Sequence, residues 1–173
     1  MKRLTLMRHA KSSRDDPGLK DFDRPLAERG RREAPAMGAF LKERGLAPDC
    51  VLSSPSTRTR ETLEGIEREF AAPTVEFPRR LYNAPPDAIL DEIRAATEPC
   101  AHLFVIGHNP GINLLAVALA DPARSDRQSL RRIKEGFKSG AVAHFEFDVE
   151  RWAEIAEGRG ALRFYAAPKD LMG

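Results

Sequence analysis

The sequence predicts an α/β fold in which helices cover both faces of a mainly parallel sheet. Short apolar runs alternate along the chain with longer amphipathic segments, as expected when strands and helices follow one another. Residues 103–106 are apolar without interruption, which is typical of a parallel strand buried on both faces. The length of 173 residues fits one domain, and no segment has the composition of a linker, so we expect a single domain over residues 1–173.

The amino-terminal half is predicted to contain two strand–helix units and a third strand. Apolar side chains recur at helical spacing from about residue 27 to residue 44, in a helix that Pro35 should kink or delay and Gly45 should end. Ser54 and Pro55 are typical of the cap and first turn of a second helix, which should extend to about residue 70. The strands of this half are predicted at residues 4–7, 50–53 and 74–77.

The carboxyl-terminal half continues this alternation but contains a strongly basic segment. Helices are predicted at residues 87–96 and, starting from an Asn-Pro cap, at residues 109–120. Between residues 124 and 138, Arg and Lys side chains clearly outnumber the two carboxylates, Asp126 and Glu135. This basic segment is either a solvated surface or a docking surface for an acidic partner or for a substrate's negative charge. The remaining strands are predicted at residues 103–106, 141–148 and 162–165.

Charge and composition argue against several classes of protein. The chain has 28 Lys and Arg against 26 Asp and Glu, a balance that does not indicate a nucleic-acid partner. The apolar stretch at residues 114–120 is far too short to cross a membrane, and the first residues do not resemble a signal peptide. Two cysteines, Cys50 and Cys100, are too few for a disulfide scaffold. We therefore expect a cytoplasmic protein without a membrane or nucleic-acid partner.

Three polar clusters directly follow predicted strands, at residues 8–9, 53–58 and 107–110. Because ligands bind at the carboxyl ends of the strands in open α/β sheets, we expect these clusters to converge. They would bring together two arginines and two histidines, and an arginine presents a rigid fork of donors that matches phosphate oxygens. The helices predicted to begin in two of these clusters would add the positive ends of their dipoles. The sequence therefore predicts a site for a phosphate-like anion.

A histidine among such donors has a specific chemical use. Neutral imidazole can attack phosphorus and carry the phosphoryl group covalently. Neighbouring arginines disfavour protonation of the imidazole, which keeps the nucleophile free near neutral pH. The same arginines stabilise the phosphoryl oxygens in the transition state.

These residues resemble the motifs of the histidine phosphatase superfamily, which includes the phosphoglycerate mutases. Residues 6–11 (LMRHAK) resemble its Arg-His signature. Residues 54–58 with Thr62 resemble its second arginine motif, and residues 107–109 (GHN) its second histidine motif. Each motif alone is weak, but the three in this order, each after a strand, form a specific signal.

Within the superfamily, the chain resembles the small SixA-type phosphohistidine phosphatases. The chain is short and lacks room for the insertions of the mutases. Residues 21–26 (DFDRPL) with Gly30, and residues 81–84 (LYNA), resemble two segments of that group. The resemblance implies a phosphohistidine on a partner protein as the substrate.

The resemblance also implies a fold and a set of functional residues. The fold is a three-layer α/β/α sandwich of the phosphoglycerate mutase type. His9 is the nucleophile that accepts the phosphoryl group before water releases it, and Arg24 and Asp21 line the same pocket. No metal ion or other cofactor is expected, because the arginines supply the positive charge that Mg²⁺ supplies elsewhere. The residues implied to hold the phosphoryl group are Arg8, Arg58 and His108.

The sequence does not identify a general acid. Enzymes that hydrolyse alcohol phosphoesters are expected to protonate the leaving oxygen, and Asp21, Glu76 and Asp87 are the candidates here. Imidazole leaves more readily than an alkoxide, so a phosphohistidine substrate needs less help from an acid. The sequence therefore predicts a metal-independent phosphatase, a hydrolase, that acts on phosphohistidine in a protein.

Two other functions stay open. The protein could hydrolyse a small metabolite phosphoester, for which a general acid would be needed. It could also bind phosphate or a phosphoprotein without turnover, a role for which no nucleophile is needed. The presence of both histidines and both arginines favours the enzyme. The other two histidines, His102 and His144, follow none of the motifs and are expected to be structural.

Overall fold

Within the described residues, 1–97 and 99–172, the computed structural model contains one sheet of six strands. The strands are β1 (Lys2–Arg8), β2 (Cys50–Ser53), β3 (Thr74–Glu76), β4 (His102–Gly107), β5 (Val142–Phe147) and β6 (Ala161–Ala166). Their order across the sheet is β3-β2-β4-β1-β5-β6. The first four are parallel to one another, whereas β5 runs antiparallel to both β1 and β6. The mainly parallel sheet predicted from the sequence is confirmed.

Helices cover both faces of this sheet, and each face has its own apolar core. The helices are α1 (Glu28–Glu43), α2 (Thr57–Glu67), α3 (Pro86–Arg94), α4 (Gly111–Leu119), α5 (Arg127–Glu135) and α6 (Pro168–Met172). Side chains of α1 and α2 pack with Met7, Phe104 and Ile106 on one face. Side chains of α3, α4 and α5 pack with Leu4 and Leu6 on the other face. This alternation of inward-facing residues along β1 produces the expected three-layer α/β/α arrangement.

Several helix boundaries differ from those predicted. Helix α1 starts at Glu28 without delay and continues through Pro35, since the buried Met37 and Leu41 hold it against the sheet. Helix α2 has its cap at Ser56 instead of Ser54, and it ends at Glu67 instead of near residue 70. Helix ends depend partly on side-chain contacts with residues that are distant in the sequence, and the local sequence does not show those contacts.

Helix α4 begins at Gly111, where the backbone lies close to the backbone of Ala84. A Cβ atom at this position would lie 2.0 Å from the carbonyl oxygen of Ala84, so only glycine fits. The basic segment also contains a helix, α5, whose first turn is capped by the Asp126 carboxylate accepting a hydrogen bond from the Ser129 amide at 2.9 Å. Among the described residues, none of the helices is both long and apolar enough to span a membrane.

The parallel register brings three strand ends together. Arg8, the last residue of β1, lies opposite Gly107, the last residue of β4. Ser53, the last residue of β2, lies opposite Ile106 on the other side of β4. The polar segments that follow these strands therefore meet at one edge of the sheet, as expected for the carboxyl ends of parallel strands.

Candidate active site

A polar cavity of about 300 Å³ lies at the carboxyl ends of β1, β2 and β4. The cavity combines residues from three separate polar segments with residues of a short 3₁₀ turn, Asp21–Asp23. All six site residues predicted from the sequence line it: Arg8, His9, Asp21, Arg24, Arg58 and His108.

His9 lies at the base of the cavity, immediately after β1. Its Nδ1 donates a hydrogen bond to the carbonyl oxygen of Ala10 at 2.8 Å, so Nε2 keeps its lone pair. The Nε group of Arg58 approaches this lone pair at 3.4 Å. Burial, together with the nearby charges of Arg58 and Arg8, lowers the pKa of His9 to about 4. The imidazole is therefore neutral at pH 7, with one nitrogen available as a nucleophile.

Arg58 occupies the first turn of α2 and is almost completely buried. One end of its guanidinium donates to the carbonyl oxygen of Asp21 at 2.7 Å and to its Oδ2 atom at 3.1 Å. Its Nη2 atom also lies 3.2 Å from Nδ1 of His108. These contacts hold the planar fork between both histidines, which is a geometry that a lysine cannot reproduce.

His108 follows β4 and is held by a residue whose local sequence predicts another role. Its Nε2 atom lies 2.7 Å from the hydroxyl of Ser54, the residue that was predicted to cap α2. A serine before a proline after a strand has the local pattern of a cap, so only the tertiary contact distinguishes the two roles. Burial, followed by the charge of Arg58, lowers the pKa of His108 to about 3, so this ring is also neutral at pH 7.

Asp21 lines the cavity and binds both Arg58 and Arg24. The hydroxyl of Tyr82 donates to its carboxylate at 2.5 Å, and Nε of Arg24 donates at 3.2 Å. The Tyr82 hydrogen bond, with those of Arg58 and Arg24, holds the pKa of the Asp21 carboxyl well below its usual range. Asp21 is therefore an anion at neutral pH. The sequence pattern gave no sign of Tyr82 as a partner, because 61 residues separate it from Asp21.

Arg8 has one side-chain nitrogen without a hydrogen-bond acceptor among the described residues. Its Nη1 atom and the side-chain amide of Asn109 both donate to the carbonyl oxygen of Phe137, at 2.9 and 3.0 Å. Its Nε atom is buried and, among the described residues, finds no acceptor. An unsatisfied buried donor costs about 1–3 kcal/mol.

Only one of the three candidate acids reaches the cavity. Among the described residues that line it, Asp21 is the single carboxylate. Glu76, the last residue of β3, lines a different cavity beside Cys50. Asp87 is exposed in the first turn of α3 and does not line the catalytic cavity. The described residues also contain no group of carboxylate, histidine and cysteine side chains that could hold a metal ion.

The other two histidines lie away from the cavity, inside the sheet. His102 and His144 both contact the hydroxyl of Thr5, at 2.8 and 2.9 Å, and all three residues are buried. Burial lowers the pKa of His102 to about 4 and that of His144 to about 3. Both pKa values are below the ordinary value of about 6.5 that these side chains would have in the unfolded chain.

We expect these buried neutral histidines to make the fold acid-sensitive. Between about pH 6.5 and 4 the unfolded chain binds more protons than the folded chain, so stability falls as the pH falls through this window. Each such histidine should contribute a loss of about 1.4 kcal/mol between pH 7.5 and 5.5. Urea unfolding at the two pH values measures the change in the free energy of unfolding. The variant His144→Gln should show a smaller loss, and an equal free energy at both pH values would contradict the prediction.

Comparisons with known proteins agree with this architecture. The family model described as histidine phosphatase superfamily (branch 1) matches residues 4–81. An uncharacterized protein of Mycobacterium tuberculosis is 38% identical over 165 residues, which cover 94% of this chain and 100% of the relative.

Two solved structures of candidate SixA phosphohistidine phosphatases are also similar. The one from Nakamurella multipartitia has a TM-score of 0.81 and 30% identity, with 96% of each chain covered. The one from Agrobacterium tumefaciens has a TM-score of 0.79 and 28% identity, with 96% of this chain and 98% of that chain covered. The present chain belongs to the histidine phosphatase superfamily, and it is a phosphatase that works through a histidine.

Proposed function

We propose that this phosphatase removes phosphoryl groups from phosphohistidine in proteins, with His9 as its nucleophile. The observation that carries the proposal is a cavity that combines a neutral histidine with several anion-binding groups, and whose described lining residues include no protonated carboxylic acid. The similarity to SixA-type structures described as candidate phosphohistidine phosphatases supports the same substrate.

The reaction has two displacements on phosphorus. In the first, Nε2 of His9 forms a bond to phosphorus while the bond between phosphorus and the substrate nitrogen breaks. The substrate imidazole leaves as a neutral ring when its other nitrogen carries a proton. In the second, a water oxygen bonds to phosphorus, the bond to Nε2 breaks, and inorganic phosphate departs. The hydrogen bond from Nδ1 to Ala10 keeps the ring of His9 in one tautomer throughout.

Two arginines and the neutral ring of His108 act on the phosphoryl oxygens. Arg8, Arg58 and His108 converge on the space in front of Nε2, where charge is redistributed in the transition state. Arg8 supplies positive charge at the cavity wall, and Arg58 offers a fork already oriented by Asp21. Because these donors are in place before the substrate arrives, little reorganisation is needed during the reaction.

The state of Asp21 favours a phosphoramidate substrate over an alcohol phosphoester. An ionised carboxylate that accepts hydrogen bonds from Tyr82, Arg58 and Arg24 has no proton to donate to a leaving group. An alkoxide requires such a proton, whereas imidazole leaves without one from the enzyme. We therefore assign Asp21 as a positioning residue for Arg58 and Arg24.

Phosphate release in the presence of EDTA tests the proposed substrate. The wild-type protein should release phosphate from a phosphohistidine peptide faster than from sugar phosphates or other small phosphoesters, and EDTA should not slow it. Faster release from a metabolite phosphoester would keep the His9 mechanism but contradict the protein substrate. No release from any substrate would favour a phosphate-binding module without turnover.

The variant Asp21→Asn separates positioning from acid catalysis. Loss of one charged hydrogen-bond acceptor should lower kcat/KM about tenfold for every substrate, because Arg58 loses its anchor. Rates should be compared on p-nitrophenyl phosphate, which has a good leaving group, and on an alkyl phosphate, which has a poor one. Asp23→Asn, in the same 3₁₀ turn but outside the cavity, is the matched control. A much larger loss on the alkyl phosphate would show that Asp21 is the general acid.

A further inference from the structure

A second and larger cavity adjoins the catalytic one. Its volume is about 720 Å³, against about 300 Å³ for the catalytic cavity. The two share Arg8, Lys11 and Ser139 as walls, so a ligand in one can extend into the other. We call the larger cavity the basic groove. Its remaining walls come from α1, from α5 and the segment after it, and from the region of α6.

Some charged side chains of the basic groove have a partner of opposite charge, and others do not. Its two carboxylates are already paired with arginines of the groove: Glu33 lies 3.4 Å from Arg29, and Asp170 lies 2.9 Å from Arg132. Four further cations of the groove have no carboxylate partner among the described residues: Arg8, Lys11, Lys138 and Lys169. The groove therefore presents an excess of positive charge on a chain whose overall charge is only +2.

The groove also offers apolar surface. Met172 forms part of its wall with about half of its surface exposed, whereas Ala167 and Pro168, which also line the groove, are buried. A free phosphate or a small dianion would use the cations but not this apolar surface. A polypeptide segment with acidic and apolar side chains would use both.

We propose that the basic groove docks an acidic segment of the protein that carries the phosphohistidine. This inference rests on the proposed function and extends it from the reacting group to the recognition of its surroundings. When the phosphohistidine side chain enters the catalytic cavity, neighbouring residues of the substrate lie over Lys11 and in the groove. Acidic residues at those positions would meet the unpaired cations, which accelerates the encounter and stabilises the complex.

The basic segment, residues 124–138, was predicted to act as one surface, but only part of it lines the groove. Arg132 and Lys138 line the groove. Arg131, the neighbour of Arg132 on α5, is exposed and lines neither the groove nor the catalytic cavity. Docking through the groove therefore involves only part of this segment, and Arg131 offers a matched control for charge reversal.

Two synthetic phosphohistidine peptides test the docking. One carries aspartates on both sides of the phosphohistidine, and the other carries serines at the same positions. At low salt the wild-type protein should cleave the acidic peptide with a kcat/KM about tenfold higher, and 0.5 M NaCl should remove most of this preference. The double variant Lys138→Glu/Lys169→Glu should lose the preference, whereas Arg131→Glu should keep it. Thermal unfolding of each variant checks that the fold is intact.

The outcomes separate the groove from the proposed substrate. Equal cleavage of both peptides by the wild-type protein would contradict docking in the groove but would leave the proposed phosphohistidine substrate standing. Cleavage of neither peptide, together with turnover of a small phosphoester, would contradict the phosphohistidine substrate and the docking that depends on it. If the double variant slowed free phosphohistidine as much as the acidic peptide, the lysines would act on the catalytic cavity, and docking would be wrong. Loss of the preference in Arg131→Glu as well would show a general effect of net charge instead of a groove.

Discussion

The variant His9→Ala should lose phosphatase activity, with kcat lower by at least about a thousandfold. Alanine removes the only atom proposed to bond to phosphorus, and water held by the arginines alone lacks that nucleophile. Arg8, Arg58 and His108 stay in place around it, so inorganic phosphate should still bind to the variant. Retained phosphate binding, measured by calorimetry, therefore serves as the control for an intact cavity.

Rapid quenching adds a direct test of the covalent step. With ³²P-labelled substrate, the wild-type protein should form a phosphoenzyme that is stable in alkali and labile in acid, as expected for a phosphorus–nitrogen bond. The variant His9→Ala should form none. A phosphoenzyme of the same yield in the variant would assign the nucleophile to another residue, and turnover without any phosphoenzyme would indicate direct attack by water.

The variant Arg58→Ala should show the second largest effect, a fall in kcat/KM of about a hundredfold to a thousandfold. The guanidinium approaches His9 and His108 and binds Asp21, so its removal deprives the phosphoryl oxygens of one of their preorganised donors. Arg58→Lys should restore little activity, because a single ammonium cannot replace a planar fork with several partners. Steady-state kinetics on the preferred substrate measures both variants.

A pH profile distinguishes a direct role of Arg58 from damage to the fold. Burial is the largest cause of the low pKa of His9, and the charge of Arg58 lowers that pKa further. Without this charge, His9 gains a proton at higher pH, so the acidic limb of the kcat/KM profile should move to higher pH in Arg58→Ala. Arg60→Ala is the matched control, because Arg60 lies on the same helix but binds the carbonyl oxygen of Pro55 outside the cavity. An unshifted profile in Arg58→Ala, or an equal loss in Arg60→Ala, would contradict the proposed role.

The sequence was informative about the sheet because local patterns carry that information. The uninterrupted apolar run at residues 103–106 lies within β4, which is buried throughout and pairs with parallel strands on both sides. Helix boundaries were less accurate, as Ser54 shows. Its local pattern is that of a cap, but its hydroxyl contacts His108, and Ser56 occupies the cap position of α2. Neighbouring residues do not reveal this role of Ser54, because its partner His108 lies 54 positions away in the sequence.

The convergence of His9, Arg58 and His108 was determined by the sequence itself, because each residue follows a strand and parallel strands end at one edge of a sheet. The lowered pKa of Asp21 was decided only by the tertiary structure, which brings Tyr82 and Arg58 to one carboxylate. The basic groove likewise exists only in the folded chain, since its walls come from segments at opposite ends of the sequence. The periodicity of apolar residues is a local property, so it predicts which face of a strand or helix a residue occupies. Hydrogen bonds between side chains of different elements depend on how those elements pack, and that information is distributed over the whole chain.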